Sequence, residues 1–152
     1  ERGEAAGIGG EVPQLLDPAS NLNTYRQLST AIHQGLIKTA HDCSEGGIAV
    51  AVAEMCIGGR IGAEIDIDGT GDGDVWGRLW GESLGRIVVA VPEASEADFL
   101  ALMKGHPTTI LGSVTVTPTL IITDGDDHLL KNDVEEMAEA WKGTLDMTGG
   151  VA

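Results

Sequence analysis

Apolar side chains at Leu22, Tyr25, Leu28, Ile32 and Leu36 recur every three or four positions, the period of one helix face. That spacing predicts a helix from its cap at Ser20 to about Gly35, with this stripe as the buried side. A short extended stretch follows over 36–41 (LIKTAH). A second helix is expected from about Ser44 to Ile57, stopped by Gly58-Gly59. The period then changes. IGAEIDI (61–67) alternates apolar and polar, as a half-buried strand does, whereas RIVVAVP (86–92) is a continuous apolar run of buried-strand length. Between them lie the loop DGTGDGD (68–74) and VWGRLWGES (75–83), which includes a short helix. Helical spacing returns from Ser95 or Glu96 to Lys104, with Phe99, Leu100, Leu102 and Met103 as core candidates. TTILGSVTV (108–116) and PTLIITD (118–124) read as strands. Asn132-Asp133-Val134-Glu135 is a capping box opening a last helix through Trp141 to about Leu145.

Helices and strands are interspersed without a regular strand–helix–strand alternation, and there is no internal repeat. The connections at 116–119 and 124–128 are short enough to join antiparallel neighbours. The expected class is therefore α+β, with helices packed on a mixed, mainly antiparallel sheet. Residues 1–19, rich in Gly, Glu and Pro without a sustained period, are assigned to a linker or N-terminal extension. Residues 20–145 form the domain and 146–152 a tail.

Composition narrows this picture. A chain of 152 residues is one domain, able to bury roughly two thirds of its extended surface without a disulfide. Aromatics are only 3%, so its core is aliphatic. The 24 acids against 9 bases leave a formal charge of −15, which argues against nucleic acid and anionic membranes as partners. Such a surface suits solubility, or a cation-bearing or basic protein partner. Only four lysines are present, compatible with a salt-tolerant source. Cys43 and Cys56, on or beside one predicted helix, read as free thiols of a reducing, cytoplasmic compartment. No apolar run reaches the ~18 residues of a membrane span, and no signal-peptide pattern opens the chain. Beginning at Glu1 without Met, it reads as a piece of something longer.

Three stretches carry candidate chemistry. In His41-Asp42-Cys43-Ser44-Glu45-Gly46-Gly47 a strand gives way to a helix whose free N–H groups favour an anion, and the two glycines admit a ligand's oxygens. Asp42 and Glu45 would repel a phosphate there unless a divalent cation bridged them. The Asp42-x-x-Glu45 spacing is equally that of a capping box, so residue chemistry leaves cap and ligand loop both open. His41 reads as a hydrogen-bonded buried or boundary residue, without partners for a triad, and Cys43 lacks an activating pair. In Trp80-Gly81-Glu82-Ser83-Leu84-Gly85-Arg86, either Glu82 and Arg86 form a structural ion pair or Arg86 meets a phosphate bidentately. Asp66-x-Asp68-x-x-Gly71-Asp72-x-Asp74 imitates a calcium loop. Thr70 at its fifth position, Gly77 at its twelfth and a preceding strand argue against calcium and for a solvated acidic turn.

In this order, AHDCSEGGIAVAVAEM, GGRIGAEIDI and LWGESLGRIVVAVP, with EEMAEAWKGTL at the end, resemble the C-terminal domain of the phosphoribosylformylglycinamidine synthase large (synthetase) subunit family. The likeness runs from about Ser20 to Leu145. HDCSEGG followed by GES-x-GR is specific as a combination, while either half alone is weak.

The superfamily, shared with aminoimidazole ribonucleotide synthetase, pairs a nucleotide-binding barrel domain with a C-terminal-type α+β domain. The synthase large subunit carries the pair twice, and this chain resembles the second C-terminal-type domain. The resemblance implies a purine-biosynthesis ligase. It converts formylglycinamide ribonucleotide to formylglycinamidine ribonucleotide with ATP, Mg2+ and glutamine-derived ammonia. It implies as partners the upstream domains and a glutaminase subunit or domain, and no catalytic residue in this chain. The catalytic histidine, the ATP-contacting lysine and most metal carboxylates belong upstream, and neither Cys43 nor Cys56 is the glutaminase nucleophile.

By the same resemblance the HDCSEGG loop faces a cleft toward the barrel domain, an auxiliary nucleotide site in this half. Asp42, Ser44, Gly46 and Gly47 are then phosphate- or Mg2+-facing, Asp42 being the candidate metal ligand, and Glu82, Ser83 and Arg86 form a second set. Trp80 stands where Phe is usual, a change of packing volume alone. The alternatives are a non-catalytic scaffold and another superfamily member, such as thiamine-monophosphate kinase, selenophosphate synthetase or a hydrogenase maturation factor. A domain separated from its barrel also exposes apolar surface through which it would dimerise.

Overall fold

The computed structural model of the chain describes residues 18–71 and 74–143. In chain order the elements are α1 (Pro18–His33), β1 (Thr39–Asp42), α2 (Gly47–Gly59), β2 (Gly62–Asp66), α3 (Val75–Trp80), β3 (Ile87–Ala90), α4 (Glu96–Leu102), β4 (Gly112–Thr115), β5 (Thr119–Asp124), β6 (Asp127–Asp133) and α5 (Val134–Gly143). The 3-10 turn Glu93–Ser95 leads into α4.

Four strands make the main sheet in the order β4-β2-β5-β6. β2 and β5 are parallel, and the two outer pairs are antiparallel. The alternation read in IGAEIDI is what seats β2: Ala63 and Ile65 are buried while Glu64 is exposed, and Ile67 beyond the strand is fully buried. Leu120 and Ile122 of β5 continue that face. α2 covers it with Ile48, Ala49, Ala51, Val52 and Cys56, and α5 adds Val134. The apolar matter is aliphatic, as the scarcity of aromatics requires. Among the described residues no helix is long and apolar enough to cross a membrane.

β1 and β3 form a separate antiparallel ribbon, from Thr39↔Ala90 to Asp42↔Ile87. Its position explains the unbroken apolar run of β3. Val88 packs on the α2 cluster, while Val89 and Val91 pack on a second cluster of Ala31, Phe99 and Met103 between α1 and α4. Both faces of β3 are used, yet each only partly, so its residues are half-buried and not the buried strand expected.

The α+β class and the mixed, mainly antiparallel pairing are those expected, with several corrections inside them. α1 starts at Pro18, two residues within the segment assigned to the linker. The rest of that segment and the 146–152 tail lie outside the described residues. The apolar stripe of α1 is not its buried side. Leu22, Tyr25 and Ile32 are 49%, 40% and 50% exposed, and only Ala31 is fully covered, because α1 touches the second cluster near its C-terminal end. Leu100 of α4 is exposed too. β4 and β5 are not neighbours across 116–119, since β2 lies between them.

β6 was not foreseen. DHLLKND has two adjacent leucines and no alternation, and a register shift opposite Ile122/Thr123 lets both lean on the core. Because Asn132 is paired with Leu120 in that strand, the cap of α5 falls to Asp133, whose Oδ1 accepts from the amides of Glu135 (2.8 Å) and Glu136 (3.3 Å).

Candidate ligand pocket

The two chemistry-bearing loops meet because of the ribbon register. Asp42 ends β1 opposite Ile87, which begins β3, so the chain leaves through Cys43–Gly46 directly beside its re-entry through Glu82–Arg86. The Cys43 amide donates to the Arg86 carbonyl at 3.0 Å and prolongs the pairing by one step. Between these loops opens a pocket of about 570 Å3, lined by residues 42–45, residues 82–87 and Tyr25 from α1. The sequence pattern places Tyr25 in the apolar stripe of α1 and not at a ligand site. The signal for it was the phenol, the one polar tip on that stripe.

Asp42, Ser44 and Ser83 line the pocket and are exposed. The Ser44 hydroxyl donates to the Asp42 carboxylate. That hydroxyl, and after it Asp42's own backbone amide, hold the Asp42 carboxyl below the ordinary carboxylate range. The Asp42-x-x-Glu45 capping box does not form. α2 begins at Gly47, later than expected, with Gly46 as its N-cap and no side chain of its own capping it.

Gly46 and Gly47 stand behind the pocket and are absent from its lining. Both have left-handed backbone, φ 77° and 63°. A Cβ on Gly47 would lie 2.7 Å from the Trp80 carbonyl carbon and 2.8 Å from the Leu79 oxygen. Gly47 thus serves the close approach of α2 to the end of α3, whereas a Cβ on Gly46 would meet the Val50 side chain of α2 itself. The two glycine amides are taken within the chain: Gly46 N–H donates to Glu82 Oε1 at 3.0 Å and Gly47 N–H to the Ser44 carbonyl at 3.3 Å.

The Glu82–Arg86 ion pair is not among those formed by the described residues. Arg86 instead donates from Nη1 to the Gly81 carbonyl and from Nη2 to the Arg78 carbonyl, each at 3.2 Å. It ties off the C-terminal end of α3, and its bidentate edge is engaged with backbone. Of the buried and boundary positions open to it, His41 takes the boundary one, with Nδ1 2.8 Å from the Asp42 carbonyl and Nε2 3.0 Å from Glu54 on α2. Cys43 and Cys56 are free and buried, and burial pushes both thiols above their ordinary value, so neither is poised to react.

The acidic turn is not merely solvated. Asp66 Oδ1 accepts from the amides of Asp68 (2.9 Å) and Gly125 (3.0 Å), Asp124 meets Arg78 Nη2 at 2.6 Å, and Asp74 caps α3 through the Gly77 amide at 2.7 Å. Asp72 lies outside the described residues. Among the described residues no group of three or more His, Cys, Asp or Glu side chains is arranged to hold a metal. The described residues therefore form no cage for Mg2+. The carboxylates that line the pocket are Asp42, Glu45 and Glu82, with Glu82 engaged by the Gly46 amide, and Mg2+ commonly takes one or two protein carboxylates while phosphates and water fill its other positions.

An α+β domain with a pocket at the mouth of a two-stranded ribbon is the class these features define. The profile described as "AIR synthase related protein, C-terminal domain" matches residues 3–125, and the chain belongs to that family. It is 36% identical over 115 residues to the phosphoribosylformylglycinamidine synthase subunit PurL of Deinococcus radiodurans, covering 75% of this chain and 15% of that protein. The chain thus spans under a sixth of this curated relative.

In fold it is similar to Thermotoga maritima PurL complexed with FGAR, with a TM-score of 0.72 at 22% identity over 80% of this chain and 21% of that one. T. maritima PurL complexed with ATP gives a TM-score of 0.68 at 21% identity over 76% and 21%.

Proposed function

We propose that this chain is a C-terminal-type domain of a phosphoribosylformylglycinamidine synthase large subunit, and that its pocket is one wall of an interdomain nucleotide site. The observation that carries this is the convergence of HDCSEGG and GES-x-GR, forty residues apart in sequence, on a single pocket in a chain similar to PurL over three quarters of its length. On this reading the whole subunit is a cytoplasmic, ATP- and Mg2+-dependent amidoligase using ammonia from a glutaminase partner. The reacting groups lie in its upstream domains. Asp42 faces a nucleotide-bound Mg2+, and Ser44 and Ser83 meet phosphate or sugar oxygens. Gly46, Gly47, Glu82 and Arg86 shape the wall.

One observation favours the scaffold reading: Glu82, Arg86 and both glycine amides are already satisfied inside the domain. Replacing Asp42 and Ser44 with Ala in the full-length subunit separates the two. The nucleotide-site reading expects co-purified nucleotide to fall and ligase kinetics to change. Unchanged nucleotide and kinetics, with only stability lost, would establish the scaffold. The isolated 152-residue chain is expected to show no amidine formation from formylglycinamide ribonucleotide, ATP and ammonia, and measurable turnover there would refute the assignment.

A further inference from the structure

The head of α2 has no cap from its own sequence. Gly46 carries no side chain, and its amide is met by the carboxylate of Glu82 across thirty-six positions of chain. A carboxylate accepting the N–H of the N-cap residue is one half of a capping box, and the helix N-terminus favours its negative charge. Here the bond also spans the pocket walls, since Glu45 immediately precedes Gly46 and Ser83 immediately follows Glu82. At the other end of the same loop the Cys43 amide is bound to the Arg86 carbonyl, and Arg86 is bound to α3. The loop carrying Ser44 is therefore fastened at both ends to the opposite wall, by backbone at one and by a side chain at the other.

We infer that Glu82 is a positioning residue of the pocket: it caps α2 from the opposite wall, fixes the loop that presents Asp42 and Ser44, and occupies the anion position at the helix head. This rests on reading the pocket as half of a nucleotide site. It narrows that reading, because a phosphate bound there meets the serine hydroxyls and a cation on Asp42, and not the Gly46 amide. The acceptor alone is what the role requires, so an uncharged acceptor of the same length serves it.

The test compares Glu82→Gln with Glu82→Ala. In the 152-residue chain, amide exchange at Gly46 is expected within about threefold of wild type for E82Q and roughly tenfold faster for E82A, the loss of one charge-assisted hydrogen bond. In the full-length subunit, Mg-ADP affinity is expected to follow, rescued by E82Q and weakened about tenfold by E82A. If E82Q loses Mg-ADP as severely as E82A while Gly46 stays protected, Glu82 touches the ligand or its metal and the positioning role is overturned. It is equally overturned if E82A leaves Gly46 exchange unchanged, or if Mg-ADP releases the Gly46 amide. Should wild type bind no Mg-ADP, the nucleotide reading falls by itself, and the exchange ratio alone decides whether Glu82 holds the loop.

Discussion

Gly47 is fixed by two demands at once, a left-handed backbone and a contact distance that leaves no room for a methyl group. Gly47→Ala is expected to destabilise the domain by about 2 kcal/mol or more, since αL strain costs ~1–3 kcal/mol and the clash is with backbone. Urea unfolding followed by circular dichroism measures it, and a loss under ~0.5 kcal/mol would mean that α2 and α3 separate easily. Asp42 gives a second prediction at this scale. Its charged form is favoured by the Ser44 hydroxyl, so removing that donor in Ser44→Ala must raise the Asp42 pKa toward the ordinary carboxylate value. Because the folded value is depressed, any stability from this group is present above the unfolded pKa and lost as pH falls through the folded one. NMR titration of the Asp42 carboxyl in wild type and S44A reads the shift, and an unchanged midpoint would dismiss the hydroxyl as its cause.

The six-residue helix α3 holds more of the fold than its length suggests, because two arginines tie it to both neighbours. Arg78 reaches from it to Asp124 at the end of β5 and to the Ile67 carbonyl at 3.2 Å, and its own carbonyl receives Arg86 from the pocket. Arg78 and Asp124 are both mostly buried, with side chains 14% and 20% exposed. Truncating one partner strands the other. Arg78→Ala is expected to lower the stability of the domain, because Asp124 loses its partner at a mostly covered position. Adding Asp124→Asn should recover part of it, a coupling that a double-mutant cycle by denaturant unfolding measures.

This network also marks the limit of what the sequence made legible. Elements with strong local patterns could be read: the β2 alternation, the presence of α2, the polar-glycine loops at strand ends. The stop expected at Gly58-Gly59 does not occur there, since α2 runs through both glycines and ends on Arg60 in left-handed backbone, φ 52°. Long-range partners could not. Nothing local says that β2 enters between β4 and β5, that Glu82 caps a helix thirty-six residues earlier, or that the imitation calcium loop is organised on Arg78 and Asp124. β6 escaped because its pairing is with a neighbour while its own residues are mostly polar. The α1 stripe misled for a different reason: its period is helical, but period does not say what covers the apolar face.

At the scale of the whole molecule two forces oppose each other on the surface around the pocket. Tyr25 and Leu84 line it at 40% and 54% exposure, with Leu22 one turn from Tyr25 on α1 at 49%, so apolar area faces outward where the proposed barrel partner would sit. The net charge of −15 acts against any contact between two copies. Salt separates these terms. Screening shortens from about 10 Å at 0.1 M to about 3 Å at 1 M, which removes repulsion while leaving apolar burial intact or stronger. The isolated chain is therefore expected to be mainly monomeric at 20 mM NaCl and to associate as salt rises toward 1 M, the reverse of an ion-paired interface. Leu84→Lys, which places a charge in the apolar rim, should suppress the association without unfolding the domain. Sedimentation velocity at two protein concentrations and three salt concentrations tests both. Association that weakens with salt, or that L84K leaves untouched, would assign self-contact to some other face of the domain.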